Sequence, residues 1–171
     1  FATLARAFMT ITEKYRFDSI SRDEPDLLSR PLVSEAVSDG AVIRIEDTVE
    51  GAGLHQFSFY GEWRHSTGNI EADGTNSYSC NVGDTAVLRF SGTQATFFGV
   101  KDANHGMLAC SVDGGPESVV DEYSPTRAVG VSMWTSGTLS RGEHTLTVRV
   151  TGQSNPQSRY MWAAVDRVEI G

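Results

Sequence analysis

The side chains best suited to chemistry in this chain fall in three polar segments. The first carries Lys101, Asp102, Asn104 and His105, the second Tyr123 and Arg127, and the third Asn155, Arg159 and Tyr160, with Trp162 close behind. Planar amide, imidazole and guanidinium groups hydrogen-bond hydroxyls, and aromatic rings stack on C–H faces. That mixture suits non-covalent recognition of a hydroxyl-rich ligand. Covalent chemistry has less support. The chain has no G-x-S-x-G elbow, H-E-x-x-H pair, phosphate-binding loop or dinucleotide fingerprint. A glycosidase needs two facing carboxylates. Glu117, Asp121 and Glu122 qualify by type alone, and strand alternation points Asp121 and Glu122 to opposite faces. Cys80 and Cys110 are the only cysteines and lie too far apart for a C-x-x-C motif. Two readings stay open for them: a disulfide between strands in an oxidising compartment, or two free thiols packed as small apolar groups.

These segments need a rigid frame, and the hydrophobic pattern supplies one. From residue 41 the period is two: AVIRIED, HQFSFYGEW, TAVLRFSG, QATFFGV, GMLACSVDGG, ESVVDEY, AVGVSMW, EHTLTVRVTG and YMWAAVDRVEI all read as strands. Short turns separate them, among them Ser91-Gly92-Thr93, where Gly92 is free to take positive φ, Asp113-Gly114-Gly115, and Arg141-Gly142. No helix-length segment intervenes, which excludes a parallel α/β sheet. The expectation is an all-β jelly-roll β-sandwich of about nine or ten antiparallel strands over residues 41–171.

In an antiparallel meander, successive connections alternate between the two ends. The turns at 91–93, 113–115 and 140–142 then share one end, and the longer connections at 101–106, 122–127 and 152–160 share the other. The candidate ligand-binding residues are therefore Asn104, His105, Tyr123, Arg127, Asn155, Tyr160 and Trp162. Bland roles compete. Trp162 suits a core as well as a platform, Trp63 and Trp134 read as packed, and Arg127 has Glu122 as a natural ion-pair partner. Residues 64–77 (RHSTGNIEADGTNS) read as a long polar loop.

Residues 1–40 carry a different pattern. Leu4, Ala7, Phe8, Ile11 and Tyr15 recur at helical spacing behind a Thr3 cap, and Pro25 and Pro31 break the next stretch into an irregular linker. This N-terminal helix and linker read either as an appendage or as the end of a preceding domain. A chain that begins with Phe1 reads as a processed product or a piece of a longer one. The net charge of -8 repels a phosphate backbone, which argues against nucleic acid. No apolar run is long enough to span a membrane.

The ordered set GEWRHS, TAVLRFSGTQATFFGVKDANHGMLACSVDGG, VVDEYSP, GTLSRGEHTLTVRVTGQSNPQS and WAAVDRVEI resembles the galactose-binding-like carbohydrate-binding modules of the family 6, 35 and 32 type. The resemblance covers residues 41–171. It implies a secreted, non-catalytic module that binds a glycan and is appended to the catalytic domain of a bacterial glycoside hydrolase or carbohydrate esterase. It also implies a structural Ca²⁺ between the first and last strands, for which Glu46, Asp47 and Asp166 are the candidate ligands, although the fuller acidic opening motif of the family 6 type is missing. The alternative function is a structural accessory domain that docks on a catalytic partner and shapes its active site without binding sugar.

Overall fold

A computed structural model describes residues 41–68 and 74–171. Among them run β1 (Ile43–Glu46), β2 (Gln56–Tyr60), β3 (Arg64–Thr67), β4 (Thr75–Ser79), β5 (Thr85–Gly92), β6 (Ala95–Lys101), β7 (Met107–Val112), β8 (Ser118–Asp121), β9 (Ala128–Thr135), β10 (Gly142–Val150) and β11 (Ala163–Ile170). No α-helix occurs among the described residues. The helix and linker expected over 1–40 lie outside them.

Every pairing is antiparallel. One sheet has the order β3-β4-β11-β6-β9, with β1 also on β11; the other has the order β2-β5-β10-β7-β8. Alternation explains why the sheets face each other. On β10, Leu146, Val148 and Val150 point inward, and on β5 Ala86, Leu88 and Phe90 do the same. They meet Phe97, Val165, Val168 and Ile170 of the opposite sheet in one core. Phe57, Phe90 and Phe97 are fully buried there, each worth about 1.5–3 kcal/mol of transfer free energy before the entropy of ordering is counted.

All nine strands expected from alternation are present. Of the two additional strands, β3 falls inside the stretch read as a polar loop, and β4 begins in it and runs two residues past its end. Their sequences, RHST and TNSYS, carry no apolar alternation; the backbone ladder of β4 to β11 holds them in place. Strands β1 and β4 lie end to end along the same edge of β11, and the join falls at Asp166, the extra residue of a β-bulge opposite β6.

The turns sort to two ends as the meander predicts. At the tight end, Asp113 (φ 53) and Gly114 (φ 68) take the two left-handed positions of a type I′ turn. Gly92 corrects the sequence reading. It is not at positive φ; it is small because a Cβ there would lie 2.3 Å from Ile170 Cγ2 and 2.8 Å from the Gly171 carbonyl oxygen. Trp63 and Trp134 pack on the core, as expected. Cys80 and Cys110 are free thiols, so of the two readings the unbonded one is observed. Cys110 is buried, and burial pushes its thiol pKa up, which leaves it unreactive.

Candidate functional site

The loop end of the sandwich carries an open cavity of about 220 Å³. Its lining joins four elements, three loop segments and one hairpin. The β6–β7 loop gives Asp102, Asn104 and His105, the β8–β9 loop gives Arg127, and the segment before β11 gives Trp162. The β3–β4 hairpin adds Ser66, Asn76 and Tyr78. Of the residues expected to bind, the structure gathers Asn104, His105, Arg127 and Trp162 on this lining. Ser66, Asn76 and Tyr78 were not legible from sequence: the first two fall in the stretch read as a loop, and Tyr78 just past its end, on a strand without apolar alternation.

The loops are tied to one another by backbone. Residues 102 and 123 form a bridge, as do 105 and 162. The Trp162 N–H donates to the Asn104 carbonyl at 3.1 Å, and the Gly106 N–H donates to the Trp162 carbonyl at 2.6 Å. His105 is buried, and its Nδ1–H donates to the Val100 carbonyl at 2.8 Å. Arg127 pairs with Asp102 at 2.9 Å, not with Glu122 as its neighbourhood in sequence suggests. Burial pushes the Asp102 carboxyl up, but the Arg127 guanidinium and the Ala103 N–H outweigh it and hold the group below its ordinary value. Asp102 therefore faces the cavity as a carboxylate at neutral pH. Asn104 Oδ1 is buried with no hydrogen-bond donor among the described residues.

Trp162 is the hub of an aromatic cluster. Tyr78 meets it edge-on at 5.4 Å, Tyr160 lies tilted on it at 5.6 Å, and the Arg64 guanidinium stands 5.6 Å from its ring centroid. Tyr160 is 49% exposed and is the outermost ring of the group. Tyr123, Asn155 and Tyr160 do not line the cavity; Tyr160 stands next to it through its contact with Trp162. Asn155 Nδ2 donates to Asp121 Oδ2 at 2.8 Å, and the Tyr123 N–H donates to Asp121 Oδ1 at 2.8 Å, so both serve to brace the loops. Of the acids weighed as catalytic, two are held by hydrogen bonds and the third is buried with Oε1 lacking a donor among the described residues. Glu117 accepts two bonds from Arg149, Asp121 accepts the two just given, and Glu122 is fully buried.

Glu46, Asp47 and Asp166 meet at the join of β1 and β4 on β11. The Asp47 N–H donates to the Asp166 carbonyl at 2.9 Å. Thr75 and Ser77 hydroxyls donate to the two Asp47 carboxylate oxygens at 2.7 and 2.6 Å. Glu46 takes Arg44 on one oxygen, and Asp166 takes Arg167 at 3.3 Å on one. The remaining oxygens, Glu46 Oε2 and Asp166 Oδ1, are buried and meet no donor among the described residues. Burial first, then the Glu46 and Asp47 charges, push the Asp166 carboxyl up to about 6 against the pull of Arg167. Two orphaned acceptors fit a cation. Among the described residues, however, no three His, Cys, Asp or Glu side chains converge on one point. Backbone carbonyls and water would have to complete a six- to eight-oxygen shell.

No protein-family model matches this chain. An A type blood N-acetyl-alpha-D-galactosamine deacetylase from Flavonifractor plautii is 29% identical over 90 residues, which is 53% of this chain and 12% of that protein. A two-domain esterase active on acetylated mannans superposes with a TM-score of 0.55 at 14% identity, over 98% of this chain and 45% of its own. A Paenibacillus xanthan lyase superposes with a TM-score of 0.50 at 15% identity, over 65% of this chain and 12% of its own. The structural neighbours are thus domains of carbohydrate-active enzymes, and the likeness is one of fold. The chain spans less than half the length of each of these proteins.

Proposed function

We propose that residues 41–171 form a non-catalytic carbohydrate-binding module that serves a longer, secreted carbohydrate-active enzyme. The observation that carries this reading is the loop-end cavity, where Asp102, Asn104 and Arg127 sit beside the Tyr160–Trp162 pair. Its volume of about 220 Å³ is below the ~300–1,000 Å³ of sites that enclose drug-sized ligands. It suits one sugar ring whose hydroxyls meet the planar polar groups, while the rest of the glycan stays in solvent. Tyr160 is the exposed ring and supplies the stacking platform; Trp162, covered by three neighbours, fixes its tilt. The relative that acts on N-acetyl-alpha-D-galactosamine and the esterase active on acetylated mannans make acetylated glycans the first ligands to try. Tethering a parent enzyme to such a glycan raises local substrate concentration without any new chemistry.

Glu46 and Asp166 are the residues that would hold a structural Ca²⁺, beside Asp47. Bound there, the ion would neutralise the buried carboxylates and strengthen the join of β1 and β4 to β11.

A second reading, a docking domain that binds no sugar, draws on the exposed Tyr60 (61%) and Val82 (67%) at the same end of the sandwich. Calorimetric titration with mannopentaose, its acetylated form and N-acetylgalactosamine separates the two. The binding reading predicts a dissociation constant in the range of roughly micromolar to millimolar for at least one of them. It also predicts a loss of about tenfold for Asn104→Ala and for Tyr160→Ala, with melting temperatures unchanged. Heat signals absent from every titration, with an apolar partner surface captured through Val82, would favour docking instead.

A further inference from the structure

Glu122 is a fully buried acid that the proposed binding mechanism does not use. A buried carboxyl with no role is a liability, because desolvation costs free energy that only good partners return. Its connections account for it. The Glu122 N–H donates to the Gly106 carbonyl at 3.0 Å, and its carbonyl accepts the Asp102 N–H at 3.0 Å. These two bonds clasp both ends of the loop that carries Asn104 and His105. The side chain reaches the opposite sheet, where Oε2 accepts the Ala164 N–H at 2.8 Å, two residues beyond Trp162. His105 Nδ1 stands 3.7 Å from the same oxygen. Glu122 also opens the connection that leads to Arg127. One residue thus ties the 101–106 loop and the start of its own 122–127 segment to β11, two residues beyond Trp162.

The surroundings are shaped to admit the carboxyl. Gly99 lies beside it, and a Cβ there would fall 2.5 Å from Oε1. The charged or titratable groups around the acid are His105, Lys101, Asp121 and Cys110. Burial, only partly offset by the Ala164 N–H and Lys101, keeps the carboxyl protonated well above its ordinary range. The strut rests on Oε2, which accepts the Ala164 N–H, while Oε1 is buried with no hydrogen-bond donor among the described residues; a glutamine has the same shape and offers the same acceptor through its amide oxygen.

We infer that Glu122 is the positioning residue of the cavity, a single buried strut that sets the placement of the 101–106 and 122–127 segments against β11, just beyond Trp162. Its effect on affinity rests on the cavity being the ligand site; its effect on the placement of the loops can be measured without a ligand.

The test compares Glu122→Leu, which keeps volume and removes the acceptor, with Glu122→Gln. Amide hydrogen exchange is read at Asp102 and Ala164 against core amides of β10 such as Leu146 and Val148. The expected result for Glu122→Leu is a loss of protection of about tenfold at Asp102 and Ala164, with the core amides unchanged, and a loss of mannopentaose affinity of similar size. Glu122→Gln should restore both. Uniform loss across all amides would reduce Glu122 to ordinary stability, and unchanged protection at Asp102 and Ala164 would overturn the inference outright. If the leucine variant does not fold, the glutamine variant decides. Protection at Ala164 in the parent protein should fall as pH rises through Glu122 ionisation, while Glu122→Gln should hold it constant; equal pH dependence in the two proteins contradicts the inference. If neither protein binds mannopentaose or any other glycan, the binding reading fails, and the exchange data still judge Glu122.

Discussion

His144 donates from both ring nitrogens, through Nδ1 to Asp113 Oδ2 at 2.7 Å and through Nε2 to the Ser140 carbonyl at 2.8 Å. Two acceptors require the imidazolium, so Asp113 first and the Ser140 carbonyl second hold the His144 pKa above its ordinary value. In return, His144 and then the Thr145 N–H hold Asp113 below its own. The histidine contribution is fully present below the unfolded pKa of about 6.5 and is lost as pH rises through the raised folded value. The aspartate contribution appears above an unfolded pKa of about 3.9 and is lost as pH falls through the depressed one. Melting curves of the parent protein and His144→Gln should therefore differ most between about pH 4 and 6.5 and converge once the pH has risen through the raised folded value. A constant difference across that range would show that the pair does not titrate as a unit. Asp166 behaves in the opposite sense for an acid. Its folded pKa is raised to about 6, so its contribution is greatest below about pH 4 and declines as pH rises to about 6. Asp166→Asn should gain stability relative to the parent over that window in chelator. In millimolar calcium the parent should gain melting temperature and the variant should not; equal responses to calcium would remove Asp166 from any cation site.

At the scale of elements, the alternating strands were legible because one face of each meets the core. Leu146, Val148 and Val150 on β10 state their side of the sheet in the sequence itself. The hairpin of β3 and β4 was not legible. It is a polar pair, with Asn76 and Ser77 both buried and Ser77 bonded to the Asp47 carboxylate, and its position is dictated by the edge that β11 leaves open. Ser66, Asn76 and Tyr78 were missed as lining residues for that reason. The loop rim itself was half legible. Parity placed Asn104, His105, Arg127 and Trp162 together, but composition cannot tell an amide that faces a ligand from one that braces a loop, which is the role Asn155 takes. Gly92 offers a test of packing at the opposite end. Its missing side chain makes room for Ile170 and the Gly171 carbonyl, so Gly92→Ala should cost about 1–3 kcal/mol in denaturant melts through overpacking. A cost near zero would mean that the chain end yields and that the close approach carries little.

For the molecule as a whole, rigidity and recognition are separated. Two antiparallel sheets share one apolar core, and the polar groups that line the cavity stand on loops and on an edge hairpin at one end of it. The chain carries a net charge of -8; at the cavity Arg127 pairs with Asp102, and Arg64 stands beside it over Trp162. Binding at this end alone is the central claim. It is tested most directly by tracking the backbone amide resonances of residues 41–171 during titration with acetylated mannan oligosaccharides and N-acetylgalactosamine. The predicted result is a set of saturable shifts centred on Asp102–Gly106, Arg127 and Trp162, with the tight turns around Asp113 and Ser140 silent. Shifts clustered at the tight-turn end or across an outer sheet face, or none with any glycan, would contradict it.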